Sequence, residues 1–396
     1  MFNLDPSKYY LIACSGGPDS MALLDMCYRK KLNIGVAHVN YHHRDTALRD
    51  QRYVENYCQQ HQLKCFVADY YDESVGNFQK LARDFRYQFF KKIIDDCGFD
   101  ALLVAHQMDD VLETYLFQLK RNSIPSFYGI NDENIIYGIK VLRPLLKMSK
   151  KQLQDYCDFN HLEYGIDESN LLDEYQRNII RHHELSLLND NQRLMLLKEI
   201  TDKNYHKQDI IKSIKHLLEQ DKISFEVFKT LKYQDIYLNE LLKHKLGQRQ
   251  LQEIIRQLLI SDKLLIALHQ QILVKEYGYI KVFDRPYDYE YLLNDYTLIA
   301  NQHFKLVKEG INSQKLAFND DDLPLLFRNY HHGDKIKMRY GTKKVGRYFI
   351  DAKIPQQQRL NTLVVENKHH EIIFVEGIGA NFSHFRGIYE VFVIKL

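Results

Sequence analysis

The sequence predicts an α/β protein: a parallel-sheet, Rossmann-like catalytic domain, a helical middle domain and a small β-rich (α+β) C-terminal domain. Three observations predict it. Short apolar runs alternate with helical patterns through about the first 120 residues, Leu, Ile, Lys, Gln and Glu dominate residues 185–300, and the remainder turns β-prone. At 396 residues the chain exceeds one typical domain, and the boundaries are placed at 1–185, 186–322 and 323–396.

Residues 9–13, 34–39, 63–68 and 101–105 read as buried strands, being short, apolar and bounded by polar or turn residues. Helical stretches lie between them, near 20–30, 46–61 and 78–97. That alternation implies parallel strands joined by right-handed crossovers, with helices on both faces. Ligands bind beyond the carboxyl ends of such strands, so chemistry belongs in the loops after Ala13, Val39 and Ala105. In the middle region Leu251, Ile254, Ile255, Leu258 and Leu259 recur at helical spacing. Residues 335–340 alternate, and 372–375 and 389–394 are β-prone.

Composition narrows the function classes. The chain is 45% apolar and 27% charged, as soluble globular proteins are. Mean hydropathy is −0.43, and no apolar run approaches the roughly 18 residues of a membrane helix. The start, Met1-Phe2-Asn3-Leu4-Asp5, has no basic n-region, so a cytoplasmic protein without a membrane partner is expected. The six cysteines form no C-x-x-C pair, which suits reduced thiols rather than disulfides or zinc. Charge is near balance at +2, but it is unevenly spread. Lys335, Lys337, Arg339, Lys343, Lys344, Arg347, Lys353 and Arg359 face only Asp334 and Asp351, a local excess of +6. Such a stretch is the footprint of a polyanion-binding surface or simply a solvated face.

Two segments carry chemistry. Ser15-Gly16-Gly17-Pro18-Asp19-Ser20 follows an apolar strand and opens a helix. Glycine lets the backbone approach a phosphate, the helix N-terminus favours an anion, and serine hydroxyls add donors. Asp19 is a candidate Mg²⁺ ligand beside ATP phosphates. A plain turn with a serine N-cap is the alternative. No G-x-x-x-x-G-K-[ST] occurs, so a Walker-type NTPase is excluded. The second segment runs from His106 to Thr114 at a strand exit. A helix starting near Asp109 would set Asp110 and Glu113 on one face, able to hold a metal or to bind and deprotonate an amine. Acids also favour the first helical turn for dipole reasons alone.

The Ser-Gly-Gly-Pro-Asp-Ser loop resembles the signature of the N-type ATP pyrophosphatases, and within them the chain is similar to the tRNA(Ile)-lysidine synthases. Further matches are His38-Val39-Asn40, Ala82-Arg83-Asp84-Phe85-Arg86-Tyr87, Ala105-His106-Gln107-Met108-Asp109-Asp110 with Glu113-Thr114, and Arg143-Pro144-Leu145-Leu146. Asp167-Glu168-Ser169-Asn170, Arg177-Asn178-Ile179-Ile180-Arg181, Gly333-Asp334-Lys335-Ile336 and Phe349-Ile350-Asp351-Ala352-Lys353-Ile354-Pro355 extend the resemblance. The chain departs from the family at Gln107, where a second histidine is usual, and at Arg121-Asn122-Ser123-Ile124, where Arg-Gly-Ser-Gly is usual. Tyr41-His42-His43-Arg44 likewise replaces His-Gly-Leu-Arg.

The resemblance implies that a wobble cytidine in the CAU anticodon of tRNA(Ile) attacks ATP and that free L-lysine then displaces AMP. It implies ATP contacts by Ser15, Gly16, Gly17, Pro18, Asp19, Ser20, His38 and His106, with Mg²⁺ on Asp19. Asp110 and Glu113 would receive the lysine amine. Arg177 and Arg181, one helical turn apart, would clamp phosphate or stabilise the adenylate, a plain helix-surface pair being the alternative. Lys335, Lys337, Lys343, Lys344, Arg347 and Lys353 would hold the tRNA body. Oligomeric state is left open, a homodimer included. A tRNA thiolase is the nearest rival, weakened by the absent C-x-x-C, and a catalytically silent tRNA-binding homologue is another.

Overall fold

The computed structural model describes residues 3–42, 46–71, 78–165, 179–180, 183–243 and 246–396. Contacts divide the chain into two compact units, Met1–Lys215 with Asp235–Gln252, and His216–Gln234 with Glu253–Leu396.

The first unit runs β1 (Tyr9–Ala13), α1 (Pro18–Arg29), β2 (Asn33–Asn40), α2 (Ala47–Gln60), β3 (Lys64–Asp69), α3 (Phe78–Cys97), β4 (Ala101–Val104) and α4 (Met108–Lys120). The hairpin β5 (Glu133–Ile136) and β6 (Ile139–Leu142) and helix α5 (Lys150–Phe159) follow. The sheet order is β3-β2-β1-β4-β6-β5, parallel throughout except where β5 turns back along β6. Strand order reverses between β1 and β4, so the crevice at their carboxyl ends is the topological switch point.

Alternation along the strands loads both faces. Tyr10, Ile12 and Leu103 pack with Met21 and Leu24 of α1, Val54 of α2, and Leu153 and Cys157 of α5. Leu11, Ala37, Leu102 and Val141 pack on Tyr87, Phe90 and Ile93 of α3. A buried polar anchor also fixes α1. The Asp25 carboxylate accepts from Tyr57 Oη at 2.8 Å, Tyr156 Oη at 2.6 Å and Arg29 Nε at 2.6 Å, tying α1 to α2 and α5. Burial, then the carboxylate itself, push both phenols up, so they remain donors.

The helical expectation holds for α6 (Asp190–Leu218), α7 (Phe225–Thr230), α8 (Gln234–Leu241) and α9 (Gln248–Ile260), with the two-residue strand β7 (Ile223–Ser224) before α7. Leu251, Ile254, Ile255 and Leu258 are buried on α9, whereas Leu259 lies off the stripe and is exposed. Beyond α9 the structure differs from that expectation. Residues 264–284 form β8 (Leu264–Ala267), β9 (Gln271–Glu276) and β10 (Tyr279–Asp284), in an antiparallel sheet ordered β7-β10-β9-β8. Leu- and Lys-rich composition masks these strands. The local signal was the turn at Tyr277 and Gly278, which take φ of 50° and 78°, as a two-residue hairpin loop of the primed kind requires.

The second unit continues with β11 (Glu290–Leu293), β12 (Phe304–Val307), β13 (Lys315–Phe318), β14 (Leu325–Asn329), β15 (Lys335–Met338), β16 (Gly341–Lys344), α10 (Val345–Asp351), α11 (Gln356–Asn361), β17 (Leu363–Glu366), β18 (Ile372–Val375), β19 (Gly379–Ala380) and β20 (Tyr389–Lys395). One sheet is ordered β11-β14-β17-β18-β15-β16, with β19 on β18; a second is ordered β12-β20-β13. Phe304, Phe318, Phe327, Val365 and Val391 share their core. Arg328 is 6% exposed and binds Asp334 through two nitrogens at 2.9 and 3.0 Å and Glu366 at 2.7 Å. Such a buried triad needs all its partners, because removing one strands a charge. Among the described residues, no helix is long and apolar enough to cross a membrane.

Candidate active site

The loop at residues 15–20 leaves β1 at the switch point and runs into α1. Pro18, not Ser20, opens the helix, and Gly17 is its N-cap with no side-chain cap. The serine N-cap alternative is therefore not what forms. Ser20 Oγ instead cinches the loop from inside, donating to Gly17 O at 2.9 Å and accepting from Ser15 N at 3.2 Å. Gly16 takes φ of 86°, and a Cβ there would lie 2.7 Å from Asp50 O on α2. Gly165 N donates to Gly16 O at 2.8 Å, and a Cβ on Gly165 would meet Asp50 Oδ1 at 2.0 Å. The loop is thus gripped between α2 and the strap at Gly165. It presents an uncapped helix N-terminus, which favours an anion.

His38, on β2, is 3% exposed. Its Nδ1 lies 2.9 Å from Cys14 O, so it braces the residue immediately before the loop. Burial pulls its imidazole below the usual value, against the opposing Cys14 carbonyl. Asp19 occupies the first turn of α1, half-buried.

Across the switch point, α4 begins at Met108. Gln107 is its N-cap, with Oε1 accepting from Asp109 N at 2.7 Å, and Asp110 Oδ2 accepts from Gln107 N at 2.9 Å. This capping box fixes the Asp110 carboxylate. Glu113, three residues on, is 4% exposed. Asp109 is bonded by Arg193 of α6, whose Nη2 also donates to Leu185 O at 2.7 Å. The 15–20 loop thus follows β1 and His106 follows β4, its neighbour in the sheet, while Asp110 and Glu113 stand in the first two turns of the helix after β4. Arg177 and Arg181 lie outside the described residues, as does the 167–170 motif.

In the second unit, β15 and β16 pair so that Lys335 opposes Lys344 directly. Lys335, Lys337, Lys344, Arg347 and Lys353 are exposed. Asp334 is spent on Arg328, and Asp351 pairs with Lys343 and Arg347, each at 3.1 Å. Like charges facing across a ladder repel.

A PP-loop domain family model matches residues 1–188. A tRNA(Ile)-lysidine synthase of Mycoplasma mycoides is 32% identical over 403 residues, covering 94% of this chain and 98% of the relative. The chain belongs to the tRNA(Ile)-lysidine synthase family. The lysidine synthase of Streptococcus mutans is 31% identical, covering 93% of this chain and 89% of the relative. That of Ureaplasma parvum is 46% identical over 188 residues, which is 46% of this chain and 56% of the relative. As a lysidine synthase, the chain uses ATP through its PP-loop.

Two departures from the family pattern acquire physical reasons. Gln107 serves as a helix cap, where its amide oxygen accepts a backbone N–H. Asn122, standing where the lysidine synthases usually have glycine, takes φ of 48°, a conformation that asparagine tolerates best after glycine. Sequence reasoning passed over Asp50, Gly165 and Arg143 as site residues. Arg143 belonged to a recognised motif, but nothing local assigned it a contact.

Proposed function

We propose that this protein joins free L-lysine to C2 of the wobble cytidine in the CAU anticodon of tRNA(Ile), through an adenylated cytidine, releasing AMP and pyrophosphate. The observation that carries this reading is a phosphate-type loop after β1 and two carboxylates on the helix after the adjacent β4, in a chain of which 94% aligns with a lysidine synthase. The cytidine C2 oxygen attacks the α-phosphate, and the bond to pyrophosphate breaks. The ε-amine of lysine then forms the C–N bond as the C2 oxygen leaves with AMP. The N-terminus of α1 and the loop's N–H and hydroxyl groups stabilise the departing pyrophosphate.

Asp19 fits a Mg²⁺ site of the usual kind, one carboxylate with phosphate oxygens and water completing the shell. Bound there, the ion would neutralise phosphate charge. Asp110 and Glu113 receive the ammonium of lysine, whose reference pKa near 10.4 means it arrives protonated and must lose a proton before attack. Arg177 and Arg181 clamp phosphate. The full-length match to lysidine synthases favours this reading over a thiolase.

The deciding assay supplies ATP, labelled lysine and unmodified tRNA(Ile). Lysine should enter the RNA only when all three are present, and a chain that binds the tRNA without labelling it would be the silent homologue. For the basic hairpin, replacing Lys343 and Lys344 with Gln should weaken tRNA binding and reduce the log–log salt slope by about 2. Because Lys344 faces Lys335, thermal stability should hold or rise slightly. An unchanged salt slope would remove the hairpin from the tRNA surface.

A further inference from the structure

The basic hairpin carries an aromatic ring that its charges leave unexplained. Two residues, Arg339 and Tyr340, join β15 to β16, with Met338 paired to Gly341 at the turn. Directly opposed residues share a face of the ladder. Lys335 and Lys344 therefore stand together with Lys337 and Thr342 beside them, and all four are exposed. The other face buries Ile336 in a cluster with Val345, Phe349 and Val364, which fixes the root of the hairpin. Two-residue hairpin turns favour Gly, Asn and Asp. Here the second loop residue is Tyr340, whose side chain is left 92% exposed, and the Arg339 guanidinium lies 5.5 Å from the centre of its ring.

A ring in water at the tip of an anchored hairpin, beside a row of cations, is the combination that binds single-stranded nucleic acid. Cations take the phosphates and the ring takes a base face. Bases inside a duplex have their faces covered by neighbouring pairs, so a stacking ring needs an unpaired base. We propose that Tyr340 is a stacking platform for an unpaired base of the tRNA outside the anticodon loop, with Arg339 and the lysine face holding the flanking phosphates. The platform rests on the tRNA reading above, and it accounts for a neutral ring among the charges. The anticodon loop is set aside because the proposed reaction commits it to the site after β1 and β4, which belongs to the first unit.

The test uses the full chain. It contains no tryptophan, so Tyr340→Trp introduces a single indole that reports its own stacking. Unmodified tRNA(Ile) should quench the indole emission, whereas a fully paired RNA duplex and the isolated anticodon stem-loop, each at saturation, should not. Tyr340→Leu should weaken tRNA binding about five- to thirtyfold, as the loss of one stacked base does, raising the KM for tRNA with kcat nearly unchanged. Tyr340→Phe should bind as the parent does. Because the lost ring is neutral, Tyr340→Leu should keep the parental salt slope, unlike the lysine variants. Thermal melting should be unchanged in all three, as the side chain is exposed. Parental affinity in Tyr340→Leu, or quenching by the duplex or the stem-loop, would overturn the platform. If the parent chain does not bind tRNA(Ile), the proposed function falls and the platform with it. If tRNA(Ile) binds while the indole stays unquenched, the platform alone falls.

Discussion

Asp19→Asn should reduce tRNA-dependent ATP–pyrophosphate exchange by on the order of 10²–10³ while leaving the fold intact. The substitution keeps size and removes only charge. Asp19 lies in the first turn of α1, where a carboxylate interacts favourably with the helix dipole by roughly 0.3–1 kcal/mol. A modest loss of thermal stability is therefore expected whatever its function. The catalytic expectation comes from a conflict. A carboxylate beside a triphosphate repels it, so an acid in a phosphate loop hinders binding unless a cation sits between them. If Asp19 holds Mg²⁺, the variant should need more Mg²⁺ for half-maximal exchange, and raising the ion should recover part of the rate. Exchange at the parental rate and Mg²⁺ dependence would remove Asp19 from the metal role.

The loop was legible because its logic is local. Glycines, a strand before and a helix after are all read within about twenty residues. Asp110 and Glu113 were legible for the same reason, since a three-residue spacing sets them on one helical face. What confines the loop was not legible. Asp50 on α2 and Gly165 beyond α5 meet at Gly16 from distant parts of the chain, and neither belongs to a periodic pattern. Arg143 reaches His106 across 37 residues, through a parallel pairing of β4 with β6 that no sequence window contains. The capping role of Gln107 could have been read, because a glutamine followed three residues later by an aspartate resembles a reciprocal cap. The helical reading of the middle failed from Leu264 onward for a different reason. Leu and Lys dominate the stretch as a whole, and the Tyr277-Gly278 turn is the one short signal within it that marks a hairpin.

Glu113→Gln should separate the two half-reactions. In the proposed mechanism adenylation draws on the loop at residues 15–20, so pyrophosphate exchange should persist. Lysine transfer should fall by about 10²–10⁴, the usual worth of a positioned general base. Glu113 suits the role because it is buried on α4, and a buried carboxylate attracts an ammonium more strongly than one in water. Asp110 is the weaker candidate for the proton. Its Oδ2 already accepts from Gln107 N, so part of its capacity maintains the helix start. Asp110→Asn preserves that cap, since an amide oxygen also accepts, and removes only the charge. The effect at Asp110 should therefore appear chiefly as a raised KM for lysine, and the effect at Glu113 chiefly as a lowered kcat. Raising pH should partly rescue Glu113→Gln, because the fraction of lysine already deprotonated increases toward its own pKa near 10.4. The sign follows from the nucleophile: a base is dispensable only where solution has done its work. If lysine transfer by Glu113→Gln keeps the parental kcat at neutral pH, the proton leaves by another route and the carboxylate pair is a binding site alone.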